Sequence, residues 1–390
     1  MIKKIVCIIV TVLMIVTGYG EDDTVSAKDD GYESIKDLMK ACKSESIAVY
    51  EANTGTLIGG RKENKKRYIS HLTKLMTALI VYDTIEAGDI ELSTKLKTSE
   101  HANSMQGVQI WLDVGEEITV DELVKAITIS NANDAAVVLA EGCCTSEESF
   151  VKRMNDRAAR LGMKDTVFAD CTGISHENVS TAKDMALLAG ELARNSVFEE
   201  YYKTRIAEVG CKGSQLVTQN RLIGNYKGCV GYKFCDDGEG EMMLCAASKQ
   251  RDMAVCVVVL GEDDKDAIFS DAKAVMDFAF THCEIYYPEI PEEALEEIAV
   301  EHGREVSCGT EIADSRDIII ERGTYRQIYT RFTREEKLTA PVQKGDKVGE
   351  LVFYNDTGEI LRCTIAAAED VKEMDMFYAF RCLLYNLFNI

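Results

Sequence analysis

Proline is scarce, with three in 390 residues, and two of them, Pro288 and Pro291, bracket one short stretch. That pair marks a linker between regions of different patterning. A lysine- or arginine-rich patch is also lacking. The formal net charge is −22, so the summed field repels nucleic acid and favours solubility. No apolar run is long enough to span a bilayer. Ile5 to Val16 falls short of the ~20 residues a spanning helix needs. Behind Lys3 and Lys4, and ahead of the acidic Glu21 to Asp23, it reads as an export signal cleaved near Ala27. Fourteen cysteines show no zinc-site or disulfide-scaffold spacing. Most, such as Cys245 and Cys256, lie in apolar segments and read as buried free thiols. A bond involving vicinal Cys143 and Cys144 stays open.

What is present is a globular chain, 46% hydrophobic and long enough for two domains. Ser46 to Tyr50, Asn53-Thr54-Gly55 and Thr56 to Gly60 spell a β-hairpin. Leu72, Leu75, Met76, Leu79 and Ile80 then recur at the spacing of one buried helical stripe, with Gly88 as a stop. Asp121 to Ile129, Asp134 to Glu141, Glu148 to Leu161 and Ser180 to Arg194 are further helical candidates. Gly231 to Cys235, Met242 to Ser248 and Met253 to Leu260 are strands, and Asp264 to His282 is an amphipathic helix. A sheet flanked by helices is the natural assembly. Beyond the prolines, Ile318 to Glu321, Tyr325 to Arg331, Val348 to Phe353 and Ile360 to Ala366 predict a small β domain. Met374 to Ile390 closes the chain, too short to span a bilayer but suited to lie on its surface.

Leu72 to Thr77, Asn133 to Ala136, Arg157 to Gly173, Ser180 to Asp184, Asn220 to Leu222 and Lys337 to Gly349 together carry a resemblance, through their order and spacing. Over roughly residues 40 to 370 the chain resembles the D-alanyl-D-alanine carboxypeptidase family of penicillin-binding proteins. The resemblance implies an α/β (α+β) fold: a β-lactamase/transpeptidase-like domain over residues 28–285, its antiparallel sheet flanked by helices. A C-terminal β domain over 293–370 and a terminal amphipathic helix over 373–390 would follow the 1–27 signal. It further implies a peptidoglycan stem peptide ending in D-Ala-D-Ala as partner, membrane-surface contact through 374–390, and neither cofactor nor metal.

Three motifs serve catalysis in that family: Ser-x-x-Lys, Ser-x-Asn and Lys-Thr-Gly. A serine attacks the peptide carbonyl, a lysine one turn along takes its proton, and backbone N–H groups hold the oxyanion. The second motif shuttles protons and the third binds the substrate carboxylate. Anchored on the surrounding residues, the nucleophile position is His71, while Lys74 is kept. The second motif reads Asn131-Ala132-Asn133, and the third reads Lys233-Phe234-Cys235, an apolar ring in place of the hydroxyl. Loss of such a serine costs on the order of 10⁶ in kcat, about 8 kcal/mol.

The expectation is therefore a degenerate, binding or regulatory protein of the cell wall. The alternative is an active serine-type carboxypeptidase that uses Ser70 or another serine. Ser70 lies four residues before Lys74, which is one helical turn. Its position just ahead of the stripe instead predicts an N-cap near Thr73. Asn133 is read either as orienting a ligand or as capping the helix from Asp134. A His71–Cys235 pair could act as base and thiolate or hold a metal, but two candidate ligands do not make a site.

Overall fold

The computed structural model describes residues 32–388, apart from 211 and 239. The expected export signal lies outside the described residues. The chain divides into two compact units, the first running to Glu284 and the second beginning at Ile285.

The first unit is organised by a five-stranded antiparallel sheet. Its strands are β1 (Ser46–Glu51), β2 (Thr56–Arg61), β3 (Cys229–Asp236), β4 (Met242–Gln250) and β5 (Met253–Glu262), in the order β2-β1-β5-β4-β3. The β1–β2 hairpin forms as its turn residues predict, and buried Glu51 secures it. That carboxylate accepts from Thr54 N at 2.7 Å, Thr54 Oγ1 at 2.8 Å and Ala254 N at 2.8 Å. Strand β1 then joins β5 across some two hundred residues, with Ser46 opposite Leu260 and Glu51 opposite Val255. Val255 to Leu260 are all buried. Such a continuous apolar run means that both faces of the sheet are covered.

On one face lies α1 (Thr73–Glu86), with α2 (Asn133–Cys143) and α3 (Ala182–Arg194) beside it in the same core. Helix α4 (Lys265–His282) packs on β5 and β4. The periodicity predicts a single buried stripe for α1, but every residue from Thr73 to Val81 is buried. A helix enclosed on all sides must satisfy its polar side chains internally. Thr77 accordingly donates to Cys171 O at 2.7 Å and Thr84 to Ile80 O at 2.6 Å.

The second unit is predominantly β. A four-stranded sheet runs in the order Thr310–Ile312, Gly358–Ala367, Lys347–Asn355, Tyr329–Arg334, around a core that includes Phe332, Leu351, Phe353, Cys363 and Ile365. The strand expected from Tyr325 starts later, because Tyr325–Gln327 forms a 3₁₀ turn. The unit ends in a helix, Met376–Phe388. Among the described residues, no helix is long and apolar enough to cross a membrane, and no disulfide joins two described cysteines.

Candidate functional site

The approach to α1 is a tight turn. Ser70–Leu72 forms one 3₁₀ turn, and Ser70 adopts a left-handed φ of 43°. The turn is pinned from outside by Gly173, whose φ is +83° and where a Cβ would lie 2.0 Å from Ser70 O. Only glycine fits so close a backbone approach. The expected Ser70 cap does not form. Leu72 occupies the N-cap position without a side-chain bond, and Thr73 N donates to the backbone carbonyls of Ser70 and His71. With Leu72 at the N-cap position, Ser70 lies two residues outside the helix. Ser70 is 3% exposed, and the Tyr68 phenol donates to Gly173 O at 2.6 Å.

His71 and Lys74 meet directly, as the i, i+3 spacing requires. Lys74 is fully buried. Its Nζ contacts Thr172 O at 2.5 Å, Asn133 Oδ1 at 2.6 Å and His71 Nδ1 at 3.2 Å. An ammonium has three N–H groups, and Thr172 O and Asn133 Oδ1 take two of them. Burial pushes the Lys74 amine down to about 8. Burial, and then the charge of Lys74, push the His71 imidazole down to about 3, so it is neutral at ordinary pH. His71 Nδ1 also lies 3.3 Å from Thr172 O, so it either accepts from Lys74 or donates to that carbonyl, according to which ring nitrogen carries the proton.

The Thr172 carbonyl is aimed by Asp170, whose carboxylate accepts from Thr172 N at 2.7 Å, Gly173 N at 2.5 Å and Ser175 N at 2.7 Å. Burial raises that carboxyl, but the bonds from Ser175, Gly173 and Thr172 overcome it and hold it below the usual range. Sequence reasoning included this stretch in the resemblance without seeing that its backbone completes the site. The Asp-x-Thr-Gly order, an Asx-turn signature, was the available signal.

Asn133 is the first residue of α2, so it does not cap that helix. Its amide spans two partners, accepting from Lys74 and donating to Gln106 O at 2.6 Å. Asn131 closes the preceding π turn with a φ of 67°, a conformation asparagine tolerates. Its Oδ1 accepts from Lys233 Nζ at 2.5 Å, and its Nδ2 donates to Phe234 O at 3.4 Å. Lys233, 2% exposed, also donates to the Ile127 and Thr128 carbonyls, and burial pushes its amine down to about 7. Both motif lysines thus spend their N–H groups on the protein.

The third motif differs from its expected reading. Lys233 and Cys235 pair with Cys245 and Met243 on the face toward the main core, whereas Phe234 pairs with Leu244 and points the other way. Its ring stacks on Phe269 at 5.2 Å, with Lys265 Nζ 4.6 Å above it. Phe234 is therefore packing between sheet and α4, because successive strand residues face opposite sides. Burial pushes the Cys235 thiol up to about 12, which keeps it from ionising at ordinary pH. Among the described residues no group of three or more His, Cys, Asp or Glu could hold a metal.

An antiparallel sheet between helical layers, with Lys74, Asn133 and Lys233 converging from α1, α2 and β3, defines the transpeptidase-like class of penicillin-binding folds. Residues 33–264 match the D-alanyl-D-alanine carboxypeptidase family, and residues 292–373 match the penicillin-binding protein 5 C-terminal domain. The chain belongs to the D-alanyl-D-alanine carboxypeptidase family. It is 33% identical to D-alanyl-D-alanine carboxypeptidase DacF of Bacillus subtilis over 89% of this chain and 90% of that one. It is 27% identical to DacC of Escherichia coli over 83% of each. Penicillin binding protein 5 of Haemophilus influenzae shares the fold, with a TM-score of 0.77 and 22% identity over 85% of this chain and 98% of that one.

Proposed function

We propose that this chain is a non-acylating member of its family, which engages peptidoglycan stem peptides as a binding or regulatory protein instead of trimming them. One observation carries the reading: an imidazole stands at the nucleophile position, 3.2 Å from a buried Lys74 that donates to Thr172 O and Asn133 Oδ1. A neutral imidazole offers no hydroxyl to acylate, and the charged form of Lys74, which dominates near pH 7, has no lone pair with which to accept a proton. Ser70 does not replace it readily, since the residue is buried in a left-handed turn that Gly173 pins.

The same reading puts the protein outside the cytoplasmic membrane, led there by the signal-like residues 1–27. The helix Met376–Phe388 supports surface attachment: Met376, Phe377, Phe380 and Leu387 are each more than 60% exposed. The test is incubation of purified protein with a fluorescent penicillin, read by gel and intact mass, beside titration with muropeptides. The expected result is muropeptide binding without a covalent adduct. A penicillin ester, or release of D-alanine from a stem-peptide mimic at enzyme rates, would overturn the proposal.

A further inference from the structure

The loop from Ser104 to Gly115 is fastened to the site but turns an apolar surface outward. Val108 O accepts from Asn133 N at 2.7 Å, and the Asp134 carboxylate accepts from Ile110 N at 3.1 Å and Leu112 N at 3.2 Å. Between those anchors stands Trp111, the sole tryptophan of the chain, 68% exposed and held at a φ of 62°. A left-handed backbone is costly for a bulky aromatic residue, and leaving an indole in water forgoes its burial. Neighbouring chain holds that backbone in place. The Ile206–Val209/Ser214–Val217 hairpin supplies Lys212, which donates to Trp111 O at 2.8 Å and pairs with Asp113 at 2.7 Å. It also supplies Ser214, which donates to Ile110 O at 2.9 Å.

We propose that Trp111 is a stacking platform for the glycan of peptidoglycan, a β-linked chain of N-acetylated amino sugars. The proposal rests on the reading that the protein engages peptidoglycan, and extends it from the stem peptide to the sugar that bears the peptide. Size favours a sugar. One indole flanked by exposed Val108 and Val114 offers a few hundred Å² at most, well below the ~1,000 Å² of a stable protein interface but well matched to a pyranose face. Chemistry agrees: exposed Gln106 with the Lys212–Asp113 pair supplies neutral and paired polar groups for hydroxyls and acetamides.

Because Trp111 is the sole tryptophan, intrinsic fluorescence of the full chain reads the site directly. Chitotetraose and peptide-free glycan strands are titrated against it, with a free stem pentapeptide as the second arm. The expected result is a saturable spectral shift with either glycan. By calorimetry, Trp111→Ala weakens glycan binding about tenfold or more, while Trp111→Phe retains most of it through the remaining ring. No shift with millimolar glycan, equal glycan binding by Trp111→Ala, or burial of the indole by self-association without sugar overturns the proposal. Stem-peptide binding without glycan binding sinks this inference alone, whereas a penicillin ester with normal glycan binding sinks only the non-acylating reading.

Discussion

The sharpest prediction concerns His71→Ser. The substitution places a hydroxyl against Lys74 and keeps the surrounding core whose burial of that lysine is the main cause of its lowered pKa. With the amine at about 8, its neutral fraction is roughly a tenth near pH 7 and roughly nine-tenths near pH 9. A lysine acting as general base should therefore make acylation about tenfold faster at the higher pH. Asn131 and Phe234 remain, so the absolute rate should stay far below that of an intact enzyme. The assay is a time course of benzylpenicillin adduct by intact mass at several pH values, with fold checked by circular dichroism. The wild type should form no adduct, His71→Ser should form one with the stated pH slope, and adding Lys74→Met should abolish it. A folded His71→Ser protein that stays unlabelled through pH 9, or labels at a pH-independent rate, would refute the reasoning.

Two further outcomes test the buried site and the turn beside it. Lys233 has a folded pKa of about 7, well below its unfolded value of about 10.4. Between these values the unfolded chain binds more protons, so this group makes stability rise with pH. Urea unfolding under reductant near pH 6 and near pH 8.5 should show Lys233→Met losing about 2 kcal/mol of that rise relative to wild type, and an unchanged difference between the two pH values contradicts the burial. Gly173→Ala should cost more than about 2 kcal/mol in the same assay, since φ is +83° and the new Cβ would strike Ser70 O. A loss within experimental error would mean that the Ser70 turn yields freely.

Much of this architecture is legible locally. The hairpin at Asn53-Thr54-Gly55, the β3–β5 strands and α4 follow from turn chemistry and from periods of two and near four, because those signals act over a few residues. The ordered stretches around Lys74, Asn133 and Lys233 likewise located the site. One local signal went unused: alternation along β3 already separates Phe234 from Lys233 and Cys235, although the motif invites reading them together.

Residue identity by itself determined that no hydroxyl stands at position 71 and that lysines remain at 74 and 233. Whether those lysines were free to act was decided only by tertiary structure. The Thr172 carbonyl comes from nearly a hundred residues away, the Ile127 carbonyl from more than a hundred, and Ser70 is held in a left-handed turn by a backbone that Gly173 presses into place. Hydrogen-bond saturation and burial depend on what the rest of the chain brings to an atom, which no short window of sequence contains.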